Sequence, residues 1–274
     1  MANRVTFIGA GNMAGAIIGG MIDSGFAADA ITATSPDDGM LAPLRERLGI
    51  HTSTDNAAAV ADADVVVLAV KPQIMHQVCE DMRDAVQAHR PLIVSVAAGL
   101  SAETLERWLG GELALVRCMP NTPALVGAGA AGLHANTRVS EAQRRLASEL
   151  MEAVGLVEWV DDEALLDAVT AVSGSAPAYF FLMLEAMEEA GASLGLPADT
   201  ARRLAMQTAF GAAKMAMASD KPPAELKRNV MSPGGTTERA IAHLEQAGLR
   251  TTLAEAMEAC AARAREMADE LGKN

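Results

Sequence analysis

Residues 5–14 read Val5-Thr-Phe-Ile-Gly9-Ala10-Gly11-Asn12-Met13-Ala14. A short β-branched and aromatic run leads into two glycines, and a helix-like pattern follows over 14–23. The spacing G-x-G-x-x-A in a strand–turn–helix context is an accepted form of the dinucleotide-binding fingerprint. Each residue type has a physical task there. Gly9 permits the tight turn, Gly11 lets a pyrophosphate approach the backbone, and Ala14 is small enough for close packing of helix on strand. The helix N-terminus, through Asn12 and Met13, offers unpaired N–H groups and the positive end of a dipole to phosphate.

Working outward, similar apolar runs recur at Ile31–Thr34, Val65–Val70, Leu92–Val96 and Leu113–Cys118, with helical spacing between them, as over Met75–Ala88. Runs without polar alternation suit strands covered on both faces, and strands alternating with helices predict a parallel sheet. Gly129–His134 and Leu156–Val160 are weaker and read as added edge strands. After Asp161 the pattern becomes almost wholly helical: Glu163–Thr170, Ala178–Leu194, Ala198–Ala218, a short helix opened by Pro222-Pro223, Thr237–Gln246 and Thr251–Leu271. The expected fold class is therefore α/β, a Rossmann-type doubly wound sheet over 1–161, followed by an all-α domain over 162–274. Several of these helices are apolar on more than one face and so need more than one neighbour, which points to a second subunit.

The 274 residues carry 22 Lys and Arg against 35 Asp and Glu, a formal charge of −13. Such an excess of acid argues against coating nucleic acid, which requires clustered cations. Cys79, Cys118 and Cys260 lie far apart and match neither a zinc pattern nor a disulfide framework, so a reducing, cytoplasmic setting is expected. The five histidines are scattered and no metal site is expected. Met1-Ala-Asn-Arg4 runs directly into the first strand, with no room for a signal-peptide core. From Ala164 to Leu184 the sole charge is Asp167, yet Ser173-Gly-Ser-Ala-Pro177 interrupts the run and no basic flank anchors it, so a protein-buried helix is expected rather than a membrane span.

The second strand ends Ala33-Thr34-Ser35-Pro36, where an NAD-type site usually carries Asp or Glu for the ribose. Neutral Ser35 favours NADPH. The lack of a nearby Arg after the strand until Arg45, and the acid at Asp37, keep NADH as the alternative. Strand C-termini line the ligand crevice of such sheets, which brings Ala69, Val70, Lys71 and Pro72 toward the cofactor. Small residues from Ala97 to Gly99 leave room for a flat ring. Arg117-Cys-Met119-Pro-Asn121-Thr122-Pro123 forms a stiff loop after the next strand, and on side-chain type alone Asn121 and Thr122 serve a ligand or a turn equally well.

In the helical half, Val172-Ser-Gly-Ser-Ala-Pro177 precedes one helix, and Ser232-Pro-Gly234-Gly235-Thr-Thr237 precedes another. Hydroxyls, exposed N–H groups and a helix dipole together suit a carboxylate without a fixed cation, beyond what an N-cap requires. Taken together, Gly9–Ala14, Ala69–Pro72, Met119–Pro123, Val172–Pro177 and Ser232–Thr237 resemble the pyrroline-5-carboxylate reductase family over nearly the whole chain. One departure is visible: Ala176 stands where that family usually has Gly.

The resemblance implies NAD(P)H-dependent reduction of the cyclic imine 1-pyrroline-5-carboxylate to L-proline, the last step of proline biosynthesis. It also implies a homodimer formed through the helical domain, often built into larger rings. By position it puts Ser232, Gly234, Gly235 and Thr237 on the substrate carboxylate, and Asn229 and Asp220 near the pocket. Ser35 and Asn56 fall near the 2′-phosphate. Ser232 and Thr237 are then the candidate catalytic residues, with Thr237 reaching the ring nitrogen. Two other readings compete. One is an oxidoreductase of 3-hydroxy acids, which requires a helix Lys as general acid and has only Lys214 to offer before residue 220. The other is a dinucleotide-binding protein without catalysis.

Overall fold

The computed structural model describes residues 3–273. In the first half, β1 (Val5–Ile8), α1 (Asn12–Asp23), β2 (Ile31–Thr34), α2 (Asp38–Leu48), β3 (His51–Ser53) and α3 (Asn56–Val60) follow one another. Then come β4 (Val65–Leu68), α4 (Pro72–His89), β5 (Leu92–Ser95), α5 (Ala102–Trp108), β6 (Leu115–Met119), β7 (Gly129–Ala135), α6 (Glu141–Glu152) and β8 (Gly155–Trp159). The strands make one sheet in the order β3-β2-β1-β4-β5-β6-β7-β8, parallel except between β6 and β7. Ile8 sits opposite both Thr34 and Leu68, so the C-terminal ends of β1, β2 and β4 come out level.

The continuous apolar runs have a direct cause. Val5, Phe7, Ile31, Ala33, Val65, Val67, Leu92 and Val94 pack on one face with Ile17, Ile18 and Met21 of α1. The residues between them, Ile8, Val66, Leu68 and Ile93, pack on the other face with Met75, Cys79, Met82 and Val86 of α4. Both faces of the sheet are covered, so both sets of alternating positions are mainly apolar. The buried Thr6 and Thr34 hydroxyls lie within hydrogen-bonding reach of the Ala59 and Phe7 carbonyls. Strand β3 escaped the sequence reading because His51-Thr-Ser53 is polar and exposed or half-exposed; pairing with β2 holds it. Helix α2 is carried by its ends rather than by a strong pattern. Asp37 accepts from the Gly39 N–H at 2.8 Å, and Gly49 closes the helix in the left-handed region at φ 68°.

The second half holds α7 (Leu165–Val169), a π-helical turn over Thr170–Gly174, α8 (Ala176–Ser193), α9 (Ala198–Met217), α10 (Pro223–Asn229), α11 (Thr236–Gln246) and α12 (Leu249–Leu271). The chain divides into two compact units. One runs to Ser175 and takes in the residues from Ala259 onward; the other is Ala176–Glu258. This differs from a break at 161/162, and the reasons are specific. Glu163 Oε1 accepts from Arg117 Nη1 of β6 at 2.8 Å and from the Ala102 N–H of α5 at 2.7 Å. At the far end, Arg107 donates to the Gly272 carbonyl at 2.7 Å and Leu271 packs against the sheet core.

Within the second unit, α8 and α9 lie close because Gly191 meets Ala201, where an added Cβ would come within 2.9 Å. Arg202 clasps Glu188 with two hydrogen bonds at 2.9 and 2.8 Å. Glu245 of α11 takes Arg250 and Lys227, and their hydrogen bonds hold its carboxyl down at about 2. Much of the apolar surface of this unit is uncovered: Phe180 is 67% exposed and Phe210 63%. The helical run Leu165–Ser193 is long and apolar enough to cross a membrane by length and composition.

Candidate active site

The phosphate-binding turn is built at the C-terminal end of β1. Gly9 adopts φ 108°, its N–H donates to the Thr34 carbonyl at 3.1 Å, and a Cβ there would stand 2.7 Å from the Ala69 oxygen. Only glycine fits between these strands. Gly11 caps α1 with no side-chain hydrogen bond and no acid in the first turn, and the space above it is open. Ala14 is fully buried against the sheet, Asn12 is exposed and Met13 half-buried. The helix end thus keeps its N–H groups for an anion, which fits a bound pyrophosphate. A cleft of about 810 Å³ starts at Ala10, Gly11 and Asn12 and continues along Gly15 and Gly19.

At the end of β2, Ser35 is buried and its Oγ accepts from the Asp37 N–H at 3.2 Å. The Asp37 carboxylate, the acid that weighed against a 2′-phosphate, is turned onto the N-terminus of α2. Thr34 donates to Asn56 Oδ1 at 2.6 Å, which sets Asn56 beside the β2 terminus. Arg45 lies on the neighbouring α2, where Nη1 donates to Thr52 Oγ1 of β3 at 2.7 Å and pairs with Asp38 at 3.4 Å. A cation therefore does stand on an element next to this corner, ten residues beyond Ser35 in sequence.

The other side of the crevice is formed by β4, β5 and β6. The Ala69 N–H donates to the Ile8 carbonyl at 2.8 Å, Val70 follows half-buried, exposed Lys71 is the N-cap of α4, and Pro72 is its first residue. Ala97 is buried, and Gly99, at φ 70°, approaches Met267 of α12. A cavity of about 320 Å³ lies among Gly99, Met119, Arg117, Asp167, Ser175 and Cys260. Cys260 Sγ donates to Ser175 Oγ at 3.2 Å. Burial pushes the Asp167 carboxyl up, while Arg265 and Arg117 pull it down less strongly. Ser175 belongs to the Val172–Pro177 motif and Arg117 opens the Arg117–Pro123 stretch. Asp167 and Cys260 sit in no motif, and the returning C-terminal helix brings Cys260 to this cavity.

Asn121 behaves differently from a ligand-facing side chain. It is 8% exposed, its Nδ2 donates to the Ser173 carbonyl at 3.1 Å, and its Oδ1 accepts from the Ala130 N–H at 2.9 Å. Thr122, by contrast, is exposed at the start of a 3-10 turn, Thr122–Val126.

In the second unit, Asn229 ends α10 and exposed Asp220 precedes it. Ser232 is exposed, and its carbonyl accepts from the Gly235 N–H at 2.8 Å to close the turn. Gly235 is the N-cap of α11 without any hydroxyl cap, so neither Ser232 nor the threonines are used in capping. Gly234 sits at φ 71° and its N–H donates to the carboxylate of Glu238 at 2.6 Å. Half-buried Thr237 is in the first turn of α11. The turn already holds one carboxylate, its own. Lys214, the candidate acid of the competing reading, has its ammonium 5.9 Å from the centre of the Phe210 ring. Among the described residues no cluster of three or more metal-ligating side chains occurs.

Comparisons with known proteins point to one family. The family model described as pyrroline-5-carboxylate reductase dimerisation matches residues 163–267, and one described as NADP oxidoreductase, coenzyme F420-dependent, matches residues 4–99. A pyrroline-5-carboxylate reductase of Pseudomonas aeruginosa is 51% identical over 98% of this chain and 98% of its own. The solved reductase of that name from Coxiella burnetii is 44% identical and superposes with a TM-score of 0.94, covering 97% of this chain and 99% of that one. A Plasmodium falciparum pyrroline carboxylate reductase structure, with NADP bound, is 28% identical with a TM-score of 0.85 over 97% and 98% of the two chains.

Proposed function

The chain belongs to the pyrroline-5-carboxylate reductase family, and from that premise we propose how its residues divide the work of reducing 1-pyrroline-5-carboxylate to L-proline. The carbon–nitrogen double bond takes up one hydride and one proton. NADPH, when bound, supplies the hydride. A relative with NADP bound and the neutral, buried Ser35 at the end of β2 support NADPH over NADH. Gly9, Gly11, Asn12 and Met13 cradle the pyrophosphate, while Ser35 and Asn56 hold the 2′-phosphate. Ala69, Val70, Lys71, Pro72, Ala97, Gly99, Met119 and Thr122 border the nicotinamide half.

Ser232, Gly234, Gly235 and Thr237 bind the substrate carboxylate through hydroxyls and N–H groups, with Asn229 and Asp220 at the rim of that pocket. The absence of a fixed acid follows from the chemistry. A protonated imine is already an electrophile, and hydride addition neutralises its charge instead of creating an anion that needs a proton. Holding the two reactants in register is then most of the catalytic task. Thr237 hydrogen-bonds the ring nitrogen. The observation that carries the reading is the Ser232–Thr237 turn, whose hydroxyls are free of capping duty and whose Gly234 N–H already grips a carboxylate.

The dimerisation domain makes the protein a homo-oligomer; a ring of dimers is the larger assembly the reading expects. Its setting is the cytoplasm, in keeping with the thiols of Cys79 and Cys118, which are free, buried and pushed up by burial, Cys79 to about 12. The test is kinetic. Thr237→Ala lowers kcat/KM for the imine by about 100-fold, the scale of a lost orienting contact, while the NADPH dissociation constant stays near wild type. Equal losses in both would remove Thr237 from the substrate.

A further inference from the structure

The Pro-Asn-Thr-Pro loop and the Ser-Gly-Ser-Ala-Pro segment meet through an unfilled hydrogen bond. In a continuing helix the Ser173 carbonyl would accept from the N–H four residues on, but that residue is Pro177 and has none. Asn121 Nδ2 takes the carbonyl instead, at 3.1 Å. The helix there is widened into a π turn in which the Ser175 N–H reaches back to Thr170 at 2.8 Å, a distortion that recurs at functional sites. The same segments touch a second time. Gly174 lies under Met119, and a Cβ at 174 would stand 2.6 Å from Met119 Cε, with every other neighbour at 3.7 Å or beyond. Met119 in turn faces Gly99 across the small cavity at the ends of β5 and β6.

We propose that Asn121 and Gly174 are a pair of positioning residues for hydride transfer: Asn121 tethers the loop, Gly174 leaves the space that Met119 fills, and together they set the wall against which the nicotinamide rests. The assignment builds on the reading that the ring lies at the ends of β5 and β6. It gives the Ser-Gly-Ser-Ala-Pro segment a task in shaping the cofactor side of the site, and it takes Asn121 off the ligand.

The variants are Asn121→Asp, which retains an acceptor for Ala130 but opposes an oxygen to the Ser173 carbonyl, Asn121→Ala, and Gly174→Ala. The last displaces only the flexible end of Met119, so the fold survives even if the Asn121 variants do not. In the full-length enzyme, Asn121→Asp and Gly174→Ala bind NADPH within about threefold of wild type while kcat falls about 10- to 100-fold, the cost of a small misplacement. The primary isotope effect with NADPH deuterated at the transferred position rises. Exchange of the Ala130 amide, followed without substrate, stays slow in Asn121→Asp and becomes fast in Asn121→Ala. Adding Met119→Leu to Gly174→Ala removes the overlapping methyl and recovers most of kcat. Lowered melting temperature with unchanged kcat and isotope effect would overturn the proposal, as would NADPH affinity falling in step with kcat. A wild-type enzyme inert toward the imine would overturn the functional reading as well.

Discussion

Gly9 and Gly11 stand two residues apart in one turn and are glycine for different reasons. Gly9 has a backbone angle that L side chains avoid, and any Cβ would press on the Ala69 carbonyl. Gly9→Ala is expected to cost about 1–3 kcal/mol of stability, read as a lowered melting temperature. Gly11 has extended backbone at φ −76° and ψ −176° and meets nothing. Gly11→Ala therefore leaves the melting temperature unchanged while NADPH affinity drops at least ~10-fold, or ~1.4 kcal/mol. A Gly11→Ala enzyme that binds NADPH normally would show that the backbone there does not meet the pyrophosphate. The fingerprint made both glycines legible in the sequence. Asn121 was not, because residue type says nothing about whether a carboxamide meets ligand or protein, and its partners Ala130 and Ser173 lie 9 and 52 residues away.

Helix α11 begins with a competition. Its N-terminal turn donates to Glu238, four residues on from Gly234, so an incoming carboxylate must displace that side chain and approach its charge. Like charges at about 4 Å cost ~1 kcal/mol in water-like surroundings, or ~fivefold in affinity. Glu238→Gln should thus lower the KM for the imine by about that factor with kcat little changed, at a small loss of helix-end stability; an unchanged or higher KM contradicts it. Strands β1, β2, β4 and β5 were legible because both of their faces are covered. Strand β3 was not, being polar and held only by its neighbour. The π turn and the extent of the first unit were equally hidden, since they depend on Pro177 lacking an N–H and on Glu163 pairing with Arg117 across 46 residues.

The whole molecule carries its least ordinary surface on α8 and α9, where Phe180, Phe181, Met183, Phe210 and Met215 are all half-exposed or more. So many large apolar side chains exposed on two neighbouring helices mark an interface, and the dimerisation family model covers them. Phe180→Glu or Phe210→Glu should shift the enzyme toward monomer in sedimentation at micromolar concentration. A wild-type monomer under those conditions would contradict the assignment. The need for a second subunit could be read from helices apolar on several faces, whereas which side chains meet could not.

The division of labour proposed for the two units turns on where the small acid is held. A crystal structure of the enzyme with NADP and a proline-like carboxylate tests it most directly. The account predicts the carboxylate within hydrogen-bonding reach of the Gly234 and Gly235 N–H groups and the Thr237 hydroxyl, with Glu238 displaced. A carboxylate bound elsewhere, with Glu238 still on Gly234, would contradict it.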